Sequence, residues 1–163
     1  MLQDTMVLLL PVLVLLVIAL LIFRSNKKRM LRLQQRVTRE WGGMIEREYE
    51  AGELEWISHY FRNELEKGKT GRSWIDDITW NDLEMDEFFM MLNHTYSSVG
   101  QEYLYRMLRI LAEPEELEER EALIQYFMEH EDSRTAFQMK YAEIGRTRKI
   151  SVSDYLKTLT SLE

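Results

Sequence analysis

The chain has 163 residues and contains no cysteine, only two prolines and only three histidines. Without cysteine there can be no disulfide framework, thiol nucleophile or cysteine-ligated zinc site. Two prolines beside ten methionines suit a helical protein better than a turn-rich β protein. His59, His94 and His130 lack metal-ligand spacing and read as surface or packed side chains. The length allows one small domain, and part of it is too apolar to serve a water-facing core.

Charge is unevenly divided. The net charge is −7. From Arg24 to Arg39 there are seven Lys or Arg and no acid. From Glu40 onward 14 bases face 27 acids, a balance of −13 that repels phosphate backbones. Direct DNA binding by that part is not expected.

Met6 to Phe23 is an uncharged run of 18 apolar residues. As a helix it would reach about 27 Å, close to the thickness of bilayer hydrocarbon. It has no polar face, and Pro11 falls in the first two turns, where a membrane helix tolerates it. A cleaved signal peptide would want a basic start and a shorter run, whereas the chain opens "MLQDT". An uncleaved single-pass anchor over residues 1–23 is therefore expected. Arg24, Lys27, Lys28 and Arg29 follow it directly, and the positive-inside rule puts them and the rest of the chain in the cytoplasm. The bilayer is one expected partner; contact of the basic cluster with anionic head groups is a further option.

Residues 24–73 read as a basic and amphipathic juxtamembrane region. Met30, Leu31, Leu33 and Val37 mark a helical face ending near Gly42 and Gly43. A second helix is expected from Glu46 to Glu66, with Leu54, Ile57, Phe61 and Leu65 on one face and a possible break at Gly52. "KGKTGRS", Lys67 to Ser73, is a linker by composition. Its Gly68, Lys69 and Thr70 look like the tail of a phosphate loop. The motif's earlier glycine is replaced by Asn63, and a helix stands where a strand is needed.

Residues 74–163 read as a helical domain. Ile75, Ile78, Leu83, Met85, Phe88, Phe89 and Leu92 are expected core. The acids among them, Asp76, Asp77, Asp82, Glu84, Asp86 and Glu87, lack the EF-hand pattern and fit helix N-termini and a solvated face. Ser98 to Gln101 has the form of a capping box, after which Val99, Tyr103, Leu104, Met107, Leu108 and Leu111 would face the core. Gly100 in the first turn is costly unless something packs closely on it. Ser97 or Ser98 with His94 lacks the nucleophile-elbow pattern.

Pro114 fits the first turn of the next helix, whose buried side would be Leu117, Ile124, Phe127 and Met128. Ala136, Phe137, Tyr141 and Ile144 mark another, capped by Gly145. From Ser151 a last helix would bury Tyr155, Leu156, Leu159 and Leu162. It reaches the end of the sequence without a capping residue, so the domain is expected to be incomplete.

Asp76 to Phe127 resembles the start of the core, or lever, domain of MutS-family DNA mismatch-repair ATPases. Asp76, Thr79, Leu83 and Glu84 match an Asp-x-x-Thr-x-x-x-Leu-Glu segment. Leu92, Thr95, Ser97 and Gly100 match the family's next run; Leu104 and Leu108 match the helix after it. Pro114 and Arg120 match a Pro-containing turn and an acidic helix. With the apolar N-terminus, the chain is similar to membrane-anchored MutS-related proteins of bacteria.

The resemblance implies an all-α fold, a transmembrane helix followed by part of the core bundle. It also implies a lever role without a catalytic site of its own. ATP and magnesium belong to a P-loop domain that this sequence lacks, so no cofactor or metal site is expected. That ATPase segment or a homologous subunit is the implied partner, and a homodimer is possible. Arg106, Arg109, Arg146, Arg148 and Lys149 are candidate contacts to it. The alternative is a stand-alone membrane-tethered scaffold. In that case Tyr155, Leu156, Leu159 and Leu162 should be buried against the earlier helices.

Overall fold

The computed structural model describes the backbone of residues 2–43, 47–68, 71–147 and 149–161, and side chains from residue 13 onward. Among the described residues there are eight helices and no strand, the all-α class expected. Two units separate at Trp41 and Gly42.

The first unit is a single helix, α1 (Leu2–Glu40), of 39 residues. It runs unbroken through Phe23 and Arg24, so the apolar run and the basic face share one rod. From Leu13 to Phe23 the large apolar side chains are exposed, Ile18 by 46% and Phe23 by 67%. The expected span Met6–Phe23 lies partly outside the described side chains, and Pro11 with it. Among the described residues no helix is long and apolar enough to cross a membrane. Arg24, Lys27, Lys28 and Arg29 are exposed on α1.

The second unit begins with α2 (Glu53–Glu66). It starts seven residues later than the spacing predicted; Gly52 precedes it with φ +81°, outside helical space, and Glu46 lies outside the described residues. Ile57 and Phe61 are buried, while Leu54 and Leu65 flank the core on the same stripe. Gly68 and Gly71 take positive φ in the linker; Lys69 and Thr70 lie outside the described residues.

Two short helices come next, α3 (Asp77–Asp82) and α4 (Met85–Leu92). Asp76 caps α3, its Oδ1 accepting from the Thr79 N–H at 2.7 Å. Glu84 separates the pair with φ 51°, a left-handed turn that costs a non-glycine residue about 1 kcal/mol. That break corrects the expected core. Phe89 is buried and Ile75 and Met85 pack against it, but Ile78, Leu83, Phe88 and Leu92 are exposed. Trp80 takes their place at 1% exposure.

The following helix, α5 (Ser98–Arg109), passes through the core. Ile57, Phe61, Trp80, Phe89, Tyr105 and Ile110 form the buried cluster, with Leu104 and Leu108 packed on it. Tyr105 is its hub, with ring centroids 4.9 Å from Trp80, 5.6 Å from Phe89 and 6.4 Å from Phe61. Each such pair adds about 1 kcal/mol beyond area burial. A short bridge joins Trp74 to Ile110 and ties the linker to the end of α5.

The arms α6 (Pro114–Glu129) and α7 (Glu131–Ile144) meet at His130. Pro114 opens α6 as expected, and Gly145 with φ +74° ends α7. The expected burial of α6 fails: it has no buried residue, and Leu117, Ile124 and Met128 are each more than half exposed. Last is α8 (Val152–Thr160), capped by Ser151. Its Tyr155, Leu156 and Leu159 are exposed rather than buried; Leu162 lies outside the described residues.

Candidate functional site

The polar chemistry of the second unit gathers along α5. Ser98, Gln101, Glu102, Tyr105 and Arg109 are its buried residues; Ser98, Glu102, Tyr105 and Arg109 are spaced at four, three and four along one face, with Gln101 beside them. Of the apolar face expected from spacing, Leu104 and Leu108 pack on the core, but Val99 and Tyr103 are half exposed, as is Leu111 just beyond the helix. The buried face is set by hydrogen bonds.

At the start of α5, Ser97 rather than Ser98 is the cap, its Oγ accepting from the Gly100 N–H at 3.1 Å. Ser98 instead reaches Thr147, whose N–H donates to its Oγ at 2.6 Å. Gln101 accepts from Arg47 at 3.1 Å, and Arg47 also pairs with Glu53. Thr95 donates through its hydroxyl to Asn93 Oδ1 at 2.6 Å. A methyl group at Gly100 would lie 3.1 Å from Thr95 Cβ and 3.2 Å from Ser97 Oγ. The close approach expected at Gly100 is thus made by Thr95.

In the middle of α5, Glu102 is 4% exposed and faces the start of α8. Its Oε1 accepts from the Val152 N–H at 2.7 Å; Oε2 accepts from Ser151 Oγ at 3.1 Å and the Ser153 N–H at 3.4 Å. Burial pushes this carboxyl above its ordinary pKa, and the three donors recover only part of the rise. A carboxylate here also meets the positive end of the α8 dipole. Further along α8, His59 Nδ1 lies 2.5 Å from Asp154 Oδ2, and Asn63 donates to Asp154 Oδ1 at 2.8 Å. Burial works against ionisation of Asp154, but the bonds from His59 and Asn63 prevail and hold its pKa below the ordinary value. Lys157 donates to Asn63 Oδ1 at 3.2 Å. The inward face of α8 is therefore polar and its outward face apolar. Beside it lies a groove of about 410 Å³ between Tyr60, Val99, Tyr103, Leu156, Lys157 and Thr160.

At the far end of α5, Arg109 is 3% exposed. Its guanidinium lies 4.0 Å from the centre of the Trp80 ring. It donates to the Ile75 carbonyl at 3.0 Å and to Tyr105 Oη at 2.8 Å, and pairs with Asp77 at 2.9 Å. Burial raises the Tyr105 pKa, against the lowering effect of the Arg109 hydrogen bond. A polar cleft of about 540 Å³ opens here, with His59, Arg62, Asp86 and Asn81 on its walls.

The motif residues are spread along this body. Asp76 with Thr79, and Ser97 with Gly100, start α3 and α5. Leu104 and Leu108 pack on the core; Leu83 and Leu92 are exposed, and Arg120 is half-buried on α6. Of the candidate partner contacts, Arg109 is buried and used internally, and Arg106, partly exposed, pairs with Glu64. Arg146 and Lys149 are exposed, and Arg148 lies outside the described residues. Glu102, Trp80 and the His59–Asp154 pair were not singled out from the sequence, and Asn63 entered only as the residue in place of a phosphate-loop glycine. The only prior signal was a Glu at the i+4 position from Ser98 on a face that looked polar.

Comparison with family models, curated proteins and solved structures finds no match for this chain. The stretch around Gly68 does not meet the phosphate-loop pattern. Gly68 follows a helix, and Asn63 stands at the position of the first glycine.

Proposed function

We propose that this chain is the membrane-anchored helical lever segment of a MutS-related assembly. In this reading it couples an anchored end to a nucleotide-driven head on another segment or subunit. The observation that carries it is the way the motif residues act. The Asp76–Thr79 and Ser97–Gly100 pairs set helix starts and Leu104 and Leu108 pack on the core; Arg109 and Glu102, outside the motif, tie α5 to its neighbours. Groups so occupied transmit position and orientation. The exposed apolar ring of α1 from Leu13 to Phe23 supports the anchor, since lipid would cover it at no cost in polar desolvation. The basic residues directly after it support a cytoplasmic location for the remainder.

The second reading, a stand-alone membrane-tethered scaffold, draws on the same exposed helices. Tyr155, Leu156 and Leu159 are exposed on α8 and leave an apolar face for the segment or subunit that the lever would serve. The −13 balance disfavours direct DNA contact in either reading. Alkaline carbonate washing of membranes from cells producing the full chain should leave it in the pellet. The purified chain with ATP and magnesium should release no phosphate above the blank. Release into the wash would refute the anchor; steady turnover of ATP would refute the lever without a head.

A further inference from the structure

We infer that the α6–α7 arms form a receptor for a basic amphipathic helix of a partner protein. This inference stands apart from the anchor and lever readings, because it uses only the arms themselves. Between Glu113 and Ile144 there are ten Asp or Glu and three Lys or Arg. An acidic surface of that density is repelled by phosphate, whether on nucleic acid or on an anionic leaflet, and attracts Lys and Arg.

Charge alone would describe a solvated face. The arms also expose two apolar stripes at helical spacing. Leu117, Ile124 and Met128 recur at seven and four along α6, and Phe137, Tyr141 and Ile144 at four and three along α7. Each of the six is between 48% and 66% exposed. The only buried residue of either helix is Arg134, which donates to the Phe127 carbonyl at 2.8 Å near the junction. Phe127 and Phe137 meet there edge to face at 5.5 Å.

The feet of both arms are fixed, so the surface is held in place before any partner arrives. Arg72 pairs with Glu116 at 2.6 Å at the start of α6. The Ser98 N–H donates to the Gly145 carbonyl at 3.1 Å at the end of α7. Such preorganisation lowers the entropy lost on binding. The acids crowd α6, six between Glu115 and Glu129 against Arg120 alone, so its apolar stripe fits a helix with an apolar seam flanked by Lys and Arg, and the α7 stripe adds apolar contact.

The probe is a synthetic Leu/Lys peptide of about 18 residues with helical periodicity. A scrambled peptide of identical composition serves as its pair. Binding to the full chain in neutral detergent at about 0.15 M salt is read by fluorescence anisotropy against protein-free micelles. The periodic peptide should bind at least tenfold more tightly than the scrambled one. The double variant Leu117→Gln, Ile124→Gln changes exposed residues, so it should keep its far-ultraviolet circular dichroism while losing about tenfold in affinity. Equal binding of the two peptides, undiminished binding by the variant, or no binding beyond micelles overturns the inference.

Discussion

Replacing Arg109 by alanine tests the claim that this side chain is an internal strut. The guanidinium stacks on Trp80 at 4.0 Å and is only 3% exposed at the edge of the polar cleft, a contact worth about 2 kcal/mol. Its bond to the Ile75 carbonyl, made by a charged donor at 3.0 Å, adds about 2 kcal/mol. Asp77 contributes less, because its side chain is 63% exposed and water screens the pair to about 1 kcal/mol or below. Arg109→Ala should therefore cost about 4 kcal/mol, within the range for breaking a buried charged contact. Arg109→Lys keeps the charge but loses the flat stacking surface and the fork of donors, and should cost about half as much. Asp77→Asn should cost under about 1 kcal/mol. Urea denaturation of the full chain, followed by tryptophan fluorescence, measures all three. If Asp77→Asn matches Arg109→Ala, or if Arg109→Ala costs under about 1 kcal/mol, the stacked strut is the wrong account.

Two further outcomes concern Glu102. Glu102→Ala removes the acceptor shared by Ser151, Val152 and Ser153, so amide exchange in α8 should accelerate about 30-fold, equivalent to about 2 kcal/mol. Exchange in α2 should change little, and uniform acceleration across the unit would show that α8 is not held locally. The pH dependence has a definite sign, because Glu102 has a folded pKa above its ordinary value. Its contribution is fully present in acid below that ordinary value and is lost as pH rises through the raised folded value. The stability of the parent chain relative to Glu102→Gln should thus decline from mild acid to neutral; a flat difference across that window would contradict the burial argument.

Part of this architecture is legible in the residues alone. The stripe Leu54, Ile57, Phe61 and Leu65 marks the inward face of α2, because each of those side chains is apolar and periodic. Pro114 and Gly145 mark helix ends through their own backbone preferences, and Ser151 through its side-chain oxygen. On α5 the same reasoning finds Leu104 and Leu108, which flank the core, and misses the residues that are fully buried. Its inner face is Ser98, Gln101, Glu102, Tyr105 and Arg109, whose partners lie 34 to 54 positions away or on another helix. Periodicity reports transfer of apolar surface and says nothing of which polar groups will find each other. On α8 the outcome has the same origin, since its polar side bonds Glu102, His59 and Asn63 and turns the apolar side outward, while α6 buries no face among the described residues.

The sequence by itself determined the helical class, the concentration of positive charge between Arg24 and Arg39, and the acidity of residues 40–163. These are properties of the residues in order, independent of what each one touches. Only the tertiary structure decided that Arg109 and Glu102 are internal fastenings, that Trp80 belongs to the core, and that α6, α7 and α8 carry apolar surface outward. The physical reason is that a buried charge is tolerable only where distant groups converge on it, and that convergence is made by folding.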